Sequence, residues 1–158
     1  MQLCEHKGLR SAEIVDGKLM LVLNNTLAAV EEGRNAIARF LGPLDSMVQN
    51  RLEVLFEELV SNTVRHGFAG NSDQSIHVLV ERGPDAIRLT FEDDGLPFDP
   101  TKADATVRKA GREPERLGGL GIPLIVRLSS SLCYERLFPG TESEGFHPRN
   151  RTTVSVNT

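Results

Sequence analysis

As a string of apolar and polar positions, the chain opens on a polar lead-in, residues 1–17. Its first dense apolar run is KLMLVLNN (18–25), which predicts a strand centred on LMLVL. Thr26 is placed to cap a helix through LAAVEEGRNAIARFLG, and Gly42-Pro43 ends it. Asp45 or Ser46 caps the next helix, SMVQNRLEVLFEELVSNTVRHG, which stops at Gly67. Two strands follow, 74–82 and 86–93, joined by the turn Gly83-Pro84-Asp85. Residues 95–117 show no convincing element, and a loop of that length in a compact domain is usually functional. A helix over about 120–130 and strands near 131–138 and 151–156 complete the chain. The order is strand, two helices, two strands, long loop, helix, two strands. It predicts an α/β fold: a two-layer α/β sandwich, with a mixed, mostly antiparallel sheet and helices on one face.

Periodicity also sorts the polar residues. At about 100° per residue, Leu52, Leu55, Phe56, Leu59 and Thr63 mark the core face of the second helix. Glu58 and Asn62, four residues apart, run along its border, and His66 continues the stripe closer to the core. Glu57 points the opposite way, into solvent. A stripe of this kind is either a solvated helix edge or one wall of a cavity. A histidine at a helix C-terminus is also favoured by the helix dipole alone. In the cavity reading, a carboxylate such as Glu58 can take a proton from an attacking hydroxyl, and a neutral amide oxygen such as that of Asn62 suits Mg²⁺.

The strand 86–93 alternates cleanly, with Ile87, Leu89 and Phe91 on one face and Arg88, Thr90 and Glu92 on the other. Asp93 falls on the apolar face and Asp94 does not. A buried carboxylate is costly unless something donates to it. The donor is either its own turn or a ligand group such as the exocyclic amine of a purine. Gly95 permits a positive φ and a close backbone approach. Pro97 and Phe98 then form a stiff, apolar wall.

The stretch RLGGLGIPLI (116–125) puts three glycines ahead of an apolar run, the pattern of a loop holding phosphate at a helix start. It lacks the Lys-Ser/Thr ending of a P-loop and the last glycine of the dinucleotide fingerprint. Composition narrows the rest. The 158 residues suggest one domain, 1–158, and the hydrophobic content of 39% is that of an ordinary globule. A net charge of −4 lacks the basic excess of nucleic-acid binders. No apolar run approaches the ~18 residues of a membrane span, and the N-terminus has no signal-peptide core, so the expected location is the cytoplasm. Cys4 and Cys133 form no CxxC pair and read as free thiols.

Three pieces stand in order: EELVSNTVRHG, EDDGLPFDP and LGGLGIPLI. Together they resemble the boxes of the GHKL ATPase superfamily, whose ATP-binding domain has the Bergerat fold. Within it the chain looks most like the small stand-alone anti-sigma-factor serine/threonine kinases of bacterial partner-switching systems. The resemblance spans roughly 18–157. It implies ATP and Mg²⁺ as cofactors. Glu58 and Asn62 match the Glu-x-x-x-Asn of the asparagine box, which implies a general base and a Mg²⁺ ligand, and His66 lies in the same box. Asp93 and Gly95 match the first glycine box, which implies adenine recognition. Pro97 departs from a second glycine common there, but Pro-Phe-Asp-Pro, including Phe98, is a mark of the small-kinase branch. Gly118, Gly119 and Gly121, with Leu120 and Ile122 in the same stretch, match the second glycine box, which implies phosphate contact. Residues 99–117 would be the ATP lid, with Lys102, Arg108, Lys109, Arg112 and Arg116.

The resemblance implies an enzyme that phosphorylates a small anti-sigma-factor antagonist protein and sequesters a sigma factor or similar regulator. It also suggests a homodimer. Two alternatives stand beside it. One is a partner-switching binding module that keeps the nucleotide pocket without phosphate transfer. The other is a detached histidine-kinase ATP domain, which would need a phosphoacceptor histidine on a free-standing helix; His6, His66, His77 and His147 are not so placed.

Overall fold

The computed structural model of the protein describes residues 7–67, 74–102, 121–138 and 148–158. Strand β1 (Leu9–Val15) and strand β2 (Lys18–Asn24) form a hairpin. Its two-residue turn places Asp16 at φ 51° and Gly17 at φ 72°. That is the doubly positive geometry that matches strand twist and that Asp-Gly supplies at low cost. The expected lead-in 1–17 therefore contains an edge strand. Most of β1 is exposed, Ile14 and Val15 included, so its sequence carries no clean alternation.

Helix α1 (Ala28–Leu41) ends at Gly42, which sits at φ 67°. The expected cap is not made. Leu27 holds the N-cap position, while the Thr26 hydroxyl donates to the Lys7 carbonyl at 3.1 Å, tying the helix start to the segment before β1. Helix α2 (Ser46–Asn62) is capped by Asp45, whose carboxylate accepts from the Met47 N–H at 2.9 Å. The expected helix end at Gly67 is reached by different geometry: Thr63–Gly67 is one π-helical turn. Strands β3 (Ser75–Arg82) and β4 (Ala86–Asp93), helix α3 (Gly121–Leu128), and strands β5 (Ser131–Leu137) and β6 (Arg149–Asn157) follow.

The six strands run in the order β1-β2-β3-β4-β6-β5, antiparallel at every junction. The helices cover one face. Register aligns the buried positions into rows across the sheet. Leu19, Val80, Leu89, Val154 and Leu132 form one row, and Leu21, Val78, Phe91, Thr152 and Tyr134 form the next. A further step along β4 pairs Asp93 with Asn150, which pairs with Arg136. The helix-facing surface thus changes from aliphatic to polar toward the end of β4. Leu52, Leu55, Phe56 and Leu59 of α2 cover the apolar rows, and the rings of Phe56 and Phe91 lie 6.0 Å apart. Full burial of such side chains contributes about 1.5–3 kcal/mol each, so the sheet–α2 seam is where the core's stability concentrates.

The opposite face carries alternate side chains to solvent. Glu92 pairs there with Arg151 at 2.7 Å, Glu81 pairs with Lys18 at 2.8 Å, and Cys133 is exposed. Among the described residues, no helix is long and apolar enough to cross a membrane.

Candidate nucleotide site

The polar end of the buried face opens into a cavity of about 250 Å³. Leu59 and Asn62 of α2 and Thr63, His66 and Gly67 of the π-turn form one wall. Asp93 and the turn after it, through Leu96, Pro97, Phe98 and Pro100, form another, and Asn150 and Thr152 of β6 close the back. Local bonding accommodates the π-turn. The Thr63 N–H is shared between the Leu59 and Val60 carbonyls, and its hydroxyl donates to Leu59 at 3.0 Å. One extra residue in the turn carries Gly67 across to the β4 turn, where its carbonyl accepts from the Leu96 N–H at 2.7 Å. π-turns within helices often mark functional sites.

That contact explains Gly95. A Cβ there would collide with the Gly67 carbonyl oxygen and lie 2.8 Å from its carbon. Gly17 and Gly42 have positive φ among the described glycines and Gly95 does not, so close approach alone demands glycine at this position.

Asp93 is 7% exposed. Its Oδ1 accepts from the Gly95 N–H and from Asn150 Nδ2, both at 2.9 Å. Burial still pushes its carboxyl above the usual aspartate range, against those two hydrogen bonds, with Asp94 adding to the rise and Arg136 opposing it. Both described donors fall on Oδ1, and Asp93 lines the cavity. Of the two alternatives for the donor to Asp93, the turn is the one seen, joined by Asn150.

The split between the two glutamates also holds. Glu57 is exposed, 3.9 Å from Arg34, whereas Glu58 is half-buried. Burial raises the Glu58 carboxyl above its ordinary value; the charge of Glu57 adds to the rise, and Arg65 opposes it. Glu58 does not line the cavity. It lies against Gly121, the first residue of α3, where a Cβ would run into Oε2 and sit 3.6 Å from Asn62 Nδ2. Glu58, Asn62 and the start of α3 thus meet at one point beyond the cavity. The other expected residues distribute plainly. His66, Pro97 and Phe98 line the cavity, with His66 exposed. Ile122 packs against the hydrophobic core. Gly118, Gly119, Leu120 and the lid cations Arg108, Lys109, Arg112 and Arg116 lie outside the described residues.

A family model described as the histidine kinase-like ATPase domain matches residues 23–144, more than half of the chain. The chain belongs to that family. The histidine kinase-like ATPase domain is of the GHKL type, as the three boxes led one to expect, and a domain of this type implies ATP binding. No curated protein matches the chain. Among solved structures, the histidine kinase domain of the blue-light activated histidine kinase from Erythrobacter litoralis EL346 is similar at 16% identity and a TM-score of 0.45. The match covers 84% of this chain and 61% of that one, so the chain spans less than two thirds of that solved domain.

The cavity of this ATPase domain suits a nucleotide base. Its volume lies just below the ~300–1,000 Å³ usual for small-molecule pockets. Its walls are apolar at Leu59, Leu96, Pro97 and Phe98, with the Asp93 carboxylate among the lining groups as a hydrogen-bond acceptor. Leu59, Thr63, Leu96, Pro100, Asn150 and Thr152 are lining residues that the box pattern does not mark. For the last two a signal existed: the alternation of Val156 and Val154, continued backwards, reaches Thr152 and Asn150.

Proposed function

We propose that this chain is an ATP-dependent protein serine/threonine kinase. Its substrate would be a hydroxyl on a small antagonist protein, and it would sequester a sigma factor or similar regulator while that antagonist is phosphorylated. The observation that carries the transfer step is the meeting of Glu58, Asn62 and the α3 N-terminus at Gly121, next to a cavity fit for the base. In the reaction, the substrate hydroxyl oxygen bonds the γ-phosphorus, the bond from that phosphorus to the β–γ bridging oxygen breaks, and ADP leaves. Glu58 accepts the hydroxyl proton. Its raised carboxyl supports this role, because a base works best when its pKa approaches the working pH. Asp93 Oδ2 accepts from the adenine amine, and Pro97 and Phe98 flank the ring. The amide oxygen of Asn62 is a hard, neutral donor of the kind that fits Mg²⁺ and would hold the ion. Bound there, Mg²⁺ would neutralise phosphate charge.

The antagonist and the sigma factor rest on the resemblance to the small anti-sigma kinases, as does a homodimer. The histidine-kinase alternative has less support: among the described histidines, His66 lies in the π-turn and His77 on strand β3. The test is transfer of the γ-phosphate from labelled ATP to the antagonist encoded nearby. Transfer should fall about 10²- to 10⁴-fold in Glu58→Gln with ATP affinity retained. Equal transfer by the variant would remove Glu58 as the base. Tight ATP binding without transfer to any antagonist would favour the partner-switching module.

A further inference from the structure

Asn150 is 5% exposed and saturated with hydrogen bonds. Its amide nitrogen donates to Asp93 Oδ1 at 2.9 Å, to the Leu96 carbonyl at 2.9 Å and to the Gly95 carbonyl at 3.4 Å. Its amide oxygen accepts from the Tyr134 hydroxyl at 2.6 Å and from Arg136 Nη1 at 2.8 Å. Arg136 also reaches the Gly95 carbonyl at 3.0 Å. This arrangement fixes the amide orientation: its oxygen faces a hydroxyl and a guanidinium, and its nitrogen faces three oxygens. A reversed amide would set its oxygen against Asp93 Oδ1 and the Leu96 carbonyl and its nitrogen against the Arg136 guanidinium.

We propose that Asn150 is the positioning residue of the base site. It holds Asp93 by Oδ1 so that Oδ2 faces the cavity, and the edge strand β5 holds Asn150 in turn through Tyr134 and Arg136. The inference rests on the reading of the cavity as an adenine site and names what gives that site its selectivity. A carboxylate bonded only by its own turn is free to rotate and exchange its oxygens. The second donor on the same oxygen removes that freedom. The two carbonyls that Asn150 also holds belong to the turn leading into Pro97 and Phe98, so one side chain sets both the acceptor and the wall.

Asn150→Asp tests this with little change of shape. The introduced carboxyl can still accept from Tyr134 and Arg136, but when ionised it faces Asp93 Oδ1 and two carbonyls with no proton to give. Above neutral pH, ATP affinity should fall about 10- to 100-fold, the scale of a hydrogen bond to a charged group. The preference for ATP over ITP, which lacks the exocyclic amine, should fall with it. Two carboxyls at this distance share a proton more readily than either holds one alone. As pH drops from 8 toward 6 the introduced carboxyl regains a donor, so ATP affinity should recover. The native protein, whose donor is an amide, should show no such rise. Arg136→Gln leaves the Tyr134 bond in place and should lower the ATP:ITP ratio in the same direction by a smaller factor. That measurement decides the question if Asn150→Asp does not fold.

Equal losses for ATP and ITP with no pH recovery would mean that Asn150 is merely structural, and would overturn the proposal. So would an unchanged ratio in a folded Arg136→Gln. Asp93→Asn separates this failure from failure of the site reading. If Asp93→Asn binds ATP normally, the adenine site is wrong; if it binds poorly while the Asn150 and Arg136 variants behave as native, only the positioning role is wrong.

Discussion

Gly95→Ala is the sharpest perturbation of the site, because the obstacle is backbone. The added methyl would collide with the Gly67 carbonyl oxygen, lie 2.8 Å from the Gly67 carbon, and lie 2.9 Å from Asp93 Oδ1. No rotamer relieves such a clash, so the π-turn and the β4 turn must separate. Overpacking of this kind costs about 1–3 kcal/mol. Separation also strains the bond from the Leu96 N–H to the Gly67 carbonyl, worth about 0.5–1.5 kcal/mol. The sum is about 2–4 kcal/mol, which at about 2–4 °C per kcal/mol in a chain of this size lowers the melting temperature by roughly 5–15 °C. The displaced parts are cavity walls, so ATP affinity should fall about tenfold or more at temperatures where the variant is folded. The control is Gly83→Ala, in the turn between β3 and β4, where the methyl would lie 3.2 Å from the Ala86 carbonyl. It should alter stability slightly and leave ATP binding alone. Thermal unfolding and calorimetric titration measure both quantities. A Gly95→Ala protein melting within 2 °C of the native protein and binding ATP equally well would refute the packing of the π-turn on the β4 turn.

Gly121→Ala makes the opposite kind of change: its methyl meets the flexible end of Glu58, so the melting temperature should hardly move while transfer drops at least tenfold, measured with the antagonist assay. Because burial raises Glu58, the acid limb of the transfer profile should lie above the ordinary glutamate value of 4.5; a limb at or below that value would remove the desolvation argument. Asp93→Asn should weaken ATP binding about 10- to 100-fold by replacing an acceptor with an amide donor. Its effect on stability without nucleotide has a definite sign. The folded protein raises the Asp93 pKa, so this group's contribution is fully present below the unfolded value and is lost as pH rises through the folded one. At pH 7 the variant should therefore melt at or above the native temperature, and the difference should shrink as pH falls toward 4. A variant markedly less stable at pH 7 would show that the two hydrogen bonds to Oδ1 outweigh burial.

The parts of the fold that follow a period were legible in the sequence. The α2 core face, the alternation of β4 and the separation of Glu58 from Glu57 and of Asp93 from Asp94 all follow from 3.6- and 2-residue repeats on half-buried elements. What escaped has other causes. Strand β1 pairs on one side only and buries little, so no apolar pattern marks it; Asp16-Gly17 was the available signal. Thr26 has the right residue type for a cap, but the Lys7 carbonyl, distant in sequence, takes its hydroxyl. The π-turn depends on where the Gly67 carbonyl is accepted, which is a tertiary fact. Asn150 sits one residue before the strand as its valines define it, and its role depends on partners 14, 16 and 57 residues away.

The position of the site follows from the same rows that make the core. Along β4 the helix-facing residues run Ile87, Leu89, Phe91, Asp93; along β6 they run Val156, Val154, Thr152, Asn150. The first two pairs are aliphatic, the third joins Phe91 to Thr152, and the fourth, Asp93 with Asn150, is wholly polar. The sheet therefore delivers a buried carboxylate and its amide partner to one point without a separate structural device. The π-turn and Gly95 bring the covering helix to that point closely enough to wall a cavity. Burial of Asp93 opposes its ionisation, and Gly95 and Asn150 offset that only on one oxygen. The fold thus directs both described hydrogen bonds to Oδ1. A donor reaching this carboxylate meets a group whose charge burial disfavours, so it gains more there than from a fully solvated carboxylate.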